Sequence, residues 1–185
     1  MMKEKIEIPL SKTKLFLSVL GAILFVIAGV WLFFNTQLFY NFPFKIFRIP
    51  IVIKIISVID ILFFGAIGLY ALRKLKDKKP GLTIDAEGIF DNSNAASVGF
   101  IAWKDITYIT VKKIMPTKII IIDVVNPEEY LYKAKNKTTK KLLRSNMKMN
   151  GTPISISSNS LKIDFKELEK LLQTGLESSK NNTSL

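Results

Sequence analysis

LFLSVLGAILFVIAGVWLFF, residues Leu15 to Phe34, is a run of twenty positions without a charged side chain. A helix rises about 1.5 Å per residue, so the run covers roughly 30 Å, the thickness of a bilayer's hydrocarbon core. The apolar part of a cleaved signal peptide is only about 7–15 residues long and ends at small residues. This run is longer and closes on Trp31, Phe33 and Phe34. It predicts a first transmembrane helix over 15–34. A second run, IVIKIISVIDILFFGAIGLYAL, predicts another over 51–72.

The net charge of +12 is unevenly distributed. Residues 1–79 hold twelve Lys or Arg against four acids, and the densest cluster, Arg73, Lys74, Lys76, Lys78 and Lys79, directly follows the second span. Lys3, Lys5, Lys12 and Lys14 precede the first span, whereas the loop between spans carries only Lys45 and Arg48. Lysine and arginine concentrate on the cytoplasmic side of a span, which predicts both termini inside and the aromatic loop 35–50 outside. Residues 1–14 then form a cytoplasmic N-terminal segment and 73–79 a basic linker.

The second span contains Lys54 and Asp60. A charge at mid-span costs roughly 2.5–3.5 kcal/mol, and each Leu, Ile, Val or Phe returns about 0.3–0.6 kcal/mol, so insertion remains favourable. Asp60 is a candidate intramembrane polar site. Its alternative role is packing, as a protonated acid or one bonded to Ser18, to Thr36 or to its counterpart in a second copy. Lys54, six positions earlier, points to a different side. Small residues on both runs, with Ser18 and Ala22 the clearest pair, offer surfaces for close helix approach.

The chain has no cysteine and no histidine. Disulfides, thiolate nucleophiles, Cys/His zinc sites and His-based proton relays are excluded. No phosphate-cradling glycine loop is present. Asp85, Glu87 and Asp91 are read as hairpin-turn acids rather than a metal site. No cofactor and no metal are expected, and the chain is not expected to be an enzyme.

Pro80-Gly81 starts a soluble region, 80–177. Short strand signals follow at 82–85 and 88–91, joined by a turn for which Gly88 is expected to supply a positive φ, then at 97–103 and 106–113. The β-branched run at 118–125 predicts a central strand buried on both faces. A polar, basic insert predicts a helix over about 135–149. A second hairpin is expected to pair 154–156 with 161–163. Asp164, with Glu167 after it, is expected to cap a helix over 164–175 that ends at Gly175, and 178–185 is expected to be a disordered tail.

About seven short antiparallel strands closed by one amphipathic helix resemble the pleckstrin-homology-like fold, a small barrel plugged by a C-terminal helix. The residues carrying the resemblance are Leu82 to Asp85, Glu87 to Ile89, Ile101 to Ile106 and Phe165 to Leu172. Over nearly its full length the chain also resembles a family of small bacterial membrane proteins of uncharacterised function with this layout. That likeness rests on Ile6 to Ser11, Lys79 to Leu82, Ile101 to Ile106, Asn126 to Tyr130 and Gly151 to Ile156. It implies the bacterial cytoplasmic membrane and brings no activity with it.

Trp103, in the pattern Ile101-x-Trp103-x-x-Ile106, is read as core rather than as a ligand anchor. Lys133 to Lys148 contains seven bases and no acid. Each base near an anionic leaflet adds about 1 kcal/mol of attraction. Lys140, Lys141 and Arg144, with the linker bases, are therefore the candidate lipid-facing residues. The expected function is a membrane-anchored, non-catalytic binding module for anionic lipid or a protein partner, which could be a second copy. The alternative is a transport- or enzyme-associated subunit using Asp60. Nucleic acid is not an expected partner, because stacking aromatics are not interleaved with the bases.

Overall fold

A computed structural model describes residues 5–114 and 117–183. The chain divides into two compact units, one formed by Lys12–Asp77 and the other by Met1–Ser11 together with Lys78–Leu185.

The first unit is a helical hairpin of α1 (Lys12–Phe34) and α2 (Pro50–Lys76). Both helices are long and apolar enough to cross a membrane, and only 22% and 17% of their most apolar stretches are buried. A core helix of a soluble protein would hide most of that surface. Proline suits the first turn of α2, where its missing N–H leaves no hydrogen bond unmade.

Leu15, Val19, Ala22 and Gly29 are buried on α1, and Ile53, Ser57, Gly68 and Ala71 on α2. Their spacings of three, four, seven and eleven residues follow one seam of a paired helix. Ala22 meets Gly68, where an added methyl would lie 3.2 Å from the Ala22 Cβ. Ser18, expected to pair with Ala22 in this role, is exposed and donates to the Lys14 carbonyl of its own helix at 2.9 Å. At the other end, Phe39, Phe44 and Phe47 surround Phe42 at ring distances of 5.5, 6.2 and 5.6 Å, and Arg48 Nε donates to the Phe42 carbonyl at 2.7 Å.

The second unit contains, among the described residues, seven antiparallel strands in two sheets. The first has the order β1-β2-β3-β4, from β1 (Ile6–Ile8), β2 (Leu82–Ile84), β3 (Gly88–Asp91) and β4 (Gly99–Ala102). The second has the order β5-β6-β7, from β5 (Ile106–Ile114), β6 (Thr117–Val124) and β7 (Ile154–Ile156). The two sheets do not close into the expected barrel. Ala102 is followed by a 3-10 turn at Trp103–Asp105 that ends the first sheet and starts the second. Three helices complete the unit: α3 (Pro127–Tyr132), α4 (Lys137–Asn150) and α5 (Phe165–Thr183).

β1 comes from the segment ahead of the helical hairpin. It pairs with β2 in the register Ile6↔Ile84 and Ile8↔Leu82, and the segment continues as a bridge between Leu10 and Leu161. The N-terminal segment is thus an integral part of the folded unit. It also overturns the expected second hairpin. Ser158–Ser160 tighten into a 3-10 turn, and Leu161 takes Leu10 as its partner instead of a residue near β7.

Gly88 has a negative φ, unlike Gly99 and Gly151. Its turn is built by Asp85, whose Oδ1 accepts from the Glu87 and Gly88 amides at 2.9 and 3.0 Å. Glycine is needed at 88 because a methyl there would collide with the Ile101 carbonyl oxygen. β6 is central as expected, with Ile120, Ile121 and Ile122 all buried. Met115 and Pro116, between these two strands in the sequence, lie outside the described residues. α5 does not end at Gly175. It runs to Thr183, burying Leu168, Leu172 and Leu176.

Candidate functional site

The bases singled out in the sequence divide into those with partners inside the protein and those without. Lys74 is buried and ion-paired with Asp77 at 3.0 Å, so it does not belong to a lipid-facing set. Lys12 Nζ donates to the carbonyls of Leu75 and Asp77 and satisfies the C-terminus of α2. Arg73, Lys76, Lys78 and Lys79 are exposed. In the second unit Lys133 pairs with Glu129 at 2.8 Å, and Lys140 Nζ stands 5.0 Å from the Tyr132 ring centre. Lys112 Nζ donates to the Met149 carbonyl and Asn150 Oδ1 at the end of α4.

Lys135 and Lys137 are exposed and unpartnered among the described residues at the start of α4, and Lys141, Arg144 and Lys148 remain. These last three are exposed and likewise make no hydrogen bond or ion pair with any described residue. Spaced by three and four positions, they stand on one face of α4 with Ser145. Beside them is a groove of about 610 Å³ between α3 and α4. Its far side is formed by Glu128 and Leu131 of α3, and Met147 also lines it. The arrangement is a row of cations and one hydroxyl facing an apolar floor, with a single carboxylate across the gap.

α4 forms for identifiable local reasons. Asn136 caps it by accepting from the Thr139 amide at 2.8 Å, and Gly151, at φ 80°, closes it in the left-handed conformation. Its charges work against it. There is no acid in the first turn, where the helix dipole favours one by about 0.3–1 kcal/mol, and Lys137 and Lys140 stand there instead. Leu143 is fully buried, and Asn146 Nδ2 donates to the Pro153 carbonyl and to Ser155 Oγ, both at 3.1 Å.

α3 is fixed by Tyr130, which is 1% exposed and donates from its hydroxyl to Asp105 Oδ2 at 3.0 Å. Burial, with the Asp105 carboxylate beside it, pushes the Tyr130 hydroxyl above the ordinary tyrosine pKa. Pro127 opens the helix, and Glu128 and Glu129 occupy its first turn. Both walls of the groove are thus tied to the two sheets. The strip Asp91 to Ser97 contributes further: Thr139 Oγ1 donates to the Ala95 carbonyl and Asn94 Nδ2 to the Ser155 carbonyl.

Trp103 is 4% exposed, and its indole donates to the Asp85 carbonyl at 2.9 Å, which places the ring in the core. Asp85 and Asp91 are used in turns, the latter accepting from the Ser93 amide at 2.8 Å. Among the described residues no group of three or more acids could hold a metal ion. Asp60 lies opposite Gly29, where a methyl would collide with Asp60 Oδ2. That oxygen is buried without a hydrogen-bond partner. Ser18 bonds elsewhere, and Lys54 Nζ stands 5.5 Å from the Phe33 ring centre.

Of the candidates, Lys141 and Arg144 meet in the groove, whereas Lys140 turns to Tyr132. Lys148, Ser145 and the whole α3 wall were not singled out as site residues. The 141-144-145-148 spacing could have grouped the α4 members, but nothing in the polar stretch from Glu128 marked a separate short helix. Comparison with protein-family models, with curated proteins and with solved structures finds no match to the chain.

Proposed function

We propose that the chain is a membrane-anchored, non-catalytic binding module of pleckstrin-homology-like type, whose α4 face engages an anionic lipid surface or an acidic protein partner at the cytoplasmic face of a bacterial membrane. The observation that carries this reading is the row Lys141, Arg144 and Lys148, left without internal partners on a helix that has no acid. A stabilising surface would intersperse both signs of charge. The anchor is the α1–α2 hairpin, with its large unburied apolar surface. The pairing of β1 with β2 supports a hairpin whose two ends emerge on one side, since both strands belong to one sheet.

The test uses the full chain in lipid nanodiscs, neutral in one sample and rich in phosphatidylglycerol in the other. Backbone hydrogen exchange over 137–150 should slow in the anionic discs and recover as salt rises. Equal exchange in both discs removes the lipid version, and crosslinking in the native membrane then examines a protein partner. The buried, unpartnered Oδ2 of Asp60 favours a second reading, a transport- or enzyme-associated subunit. Loss of a proton-linked phenotype in Asp60→Asn would support it, whereas a change only in abundance or assembly would assign Asp60 to packing.

A further inference from the structure

We propose that the α3–α4 groove is a discrete site for the headgroup of one anionic phospholipid, with the phosphate held by Lys141, Arg144 and Lys148 and the adjoining glycerol or acyl carbons against Leu131 and Met147. This rests on the preceding reading of α4 as the ligand-facing surface and narrows it from a charged face to one site.

Three observations converge. The groove's volume of about 610 Å³ falls within the roughly 300–1,000 Å³ of small-ligand sites. Its cations stand on successive turns of one face, so they extend over roughly 10 Å along the helix at 1.5 Å per residue. Arg144 is the middle one, and a guanidinium can meet two phosphate oxygens at once. Finally, the wall facing them is amphipathic. Leu131 is 5% exposed and offers no polar group from its side chain, while Glu128 provides an acceptor at the same wall.

That combination selects among anions. A bare inorganic phosphate would leave the part-exposed Met147 against water. A nucleic-acid backbone would bring further phosphates towards Glu128. A phospholipid headgroup bearing hydroxyls satisfies every wall: phosphate to the α4 cations and Ser145, hydroxyl donors to Glu128, and carbons to the apolar floor. Of the neighbouring bases, Lys133 pairs with Glu129 and Lys140 stands by the Tyr132 ring, whereas Lys141, Arg144 and Lys148 are the three that line the groove.

The experiment uses the full chain in neutral nanodiscs with its methionine methyls labelled for NMR, because Met147 lines the groove. Short-chain phosphatidylglycerol should shift the Met147 methyl saturably, and short-chain phosphatidylcholine or inorganic phosphate should not. Arg144→Gln should weaken the response about tenfold or more, the usual effect of losing a charge-assisted contact. Arg144→Lys separates this site from general surface charge: a discrete site loses affinity with the fork, whereas diffuse attraction is unchanged. Lys133→Gln, outside the groove, should bind as the native chain does.

An equal response to inorganic phosphate would make this a small-anion site and overturn the inference. So would a native response in Arg144→Lys, or no response at Met147. If exchange over α4 still slows in anionic discs while Met147 stays silent, the surface reading stands and the site is refuted. If neither responds, both fail.

Discussion

Removing the N-terminal strand should unfold the soluble unit, although that strand lies far from it in sequence. Ile8 and Leu10 are 4% and 5% exposed, and burying two such side chains contributes about 3–6 kcal/mol. Three backbone hydrogen bonds go with them: Gly81 N to Ile8 O at 2.9 Å, Ser11 N to Ser160 O at 2.8 Å and Lys162 N to Pro9 O at 2.9 Å. At roughly 0.5–1.5 kcal/mol each they add about 1.5–4.5 kcal/mol. The sum approaches the whole stability of a small domain, roughly 5–15 kcal/mol. The packing is tight, since a methyl on Gly81 would collide with Leu161 and lie 2.9 Å from Leu10 Cδ2.

The assay compares residues 78–185 alone with the same piece preceded by residues 5–11 on a short glycine-serine linker. Trp103 is the single tryptophan of both, so urea unfolding is followed by its fluorescence. The joined piece should unfold cooperatively, and 78–185 alone should show no cooperative transition. Leu10→Ala in the joined piece should cost about 2–5 kcal/mol, the usual range for a buried leucine. The same urea midpoint with and without residues 5–11 would show that the strand contributes nothing to the unit's stability.

Gly29→Ala should lower the thermal stability of the full chain in detergent, because its methyl meets Asp60 Oδ2 and Ile61 Cγ1. Asp60→Ala should recover part of that loss in the double variant, a coupling of about 0.5–3 kcal/mol as expected for residues in contact; strict additivity would argue against their apposition. Tyr130 gives a pH signature in the joined soluble piece. Its pKa is raised in the folded state, so its contribution is complete below about pH 10 and is lost as pH rises, by up to about 1.4 kcal/mol per pH unit. Tyr130→Phe should be less stable at neutral pH, through loss of the bond to Asp105, and the gap should close above pH 10 in urea titrations. A gap independent of pH would contradict the raised value.

The long elements were legible because one signal fixes each of them. The uncharged run at 15–34 and the β-branched Ile119 to Ile122 can hardly be anything but a long apolar helix and a buried central strand. The errors arise where partners are chosen across the chain. Leu161 has the alternation of a strand, and local reasoning pairs it with Ile156; the actual partner, Leu10, lies beyond both apolar helices. Ile6-Glu7-Ile8 alternates as a strand should, but three residues beside a hydrophobic span carry little periodic signal. Gly88 was correctly placed in a turn and assigned the wrong constraint, since only the folded structure shows the Ile101 carbonyl above it. The groove was half legible: charge marked α4, while the short α3 is held by Tyr130 and Asp105, a tertiary bond with no local signature.

The position of β1 has a consequence for biosynthesis. The strand leaves the ribosome before either apolar helix, and its partner β2 follows only after both. At about 5–20 residues per second, several seconds separate them. During that interval Ile6 to Ser11 has no sheet to join. If α1 and α2 enter a bilayer as a hairpin, β1 and β2 meet in one compartment and the unit can fold. If only one helix crosses, the strands are stranded on opposite sides and the domain lacks its edge. For a hairpin that inserts, folding of the second unit would thereby read out whether insertion was completed correctly.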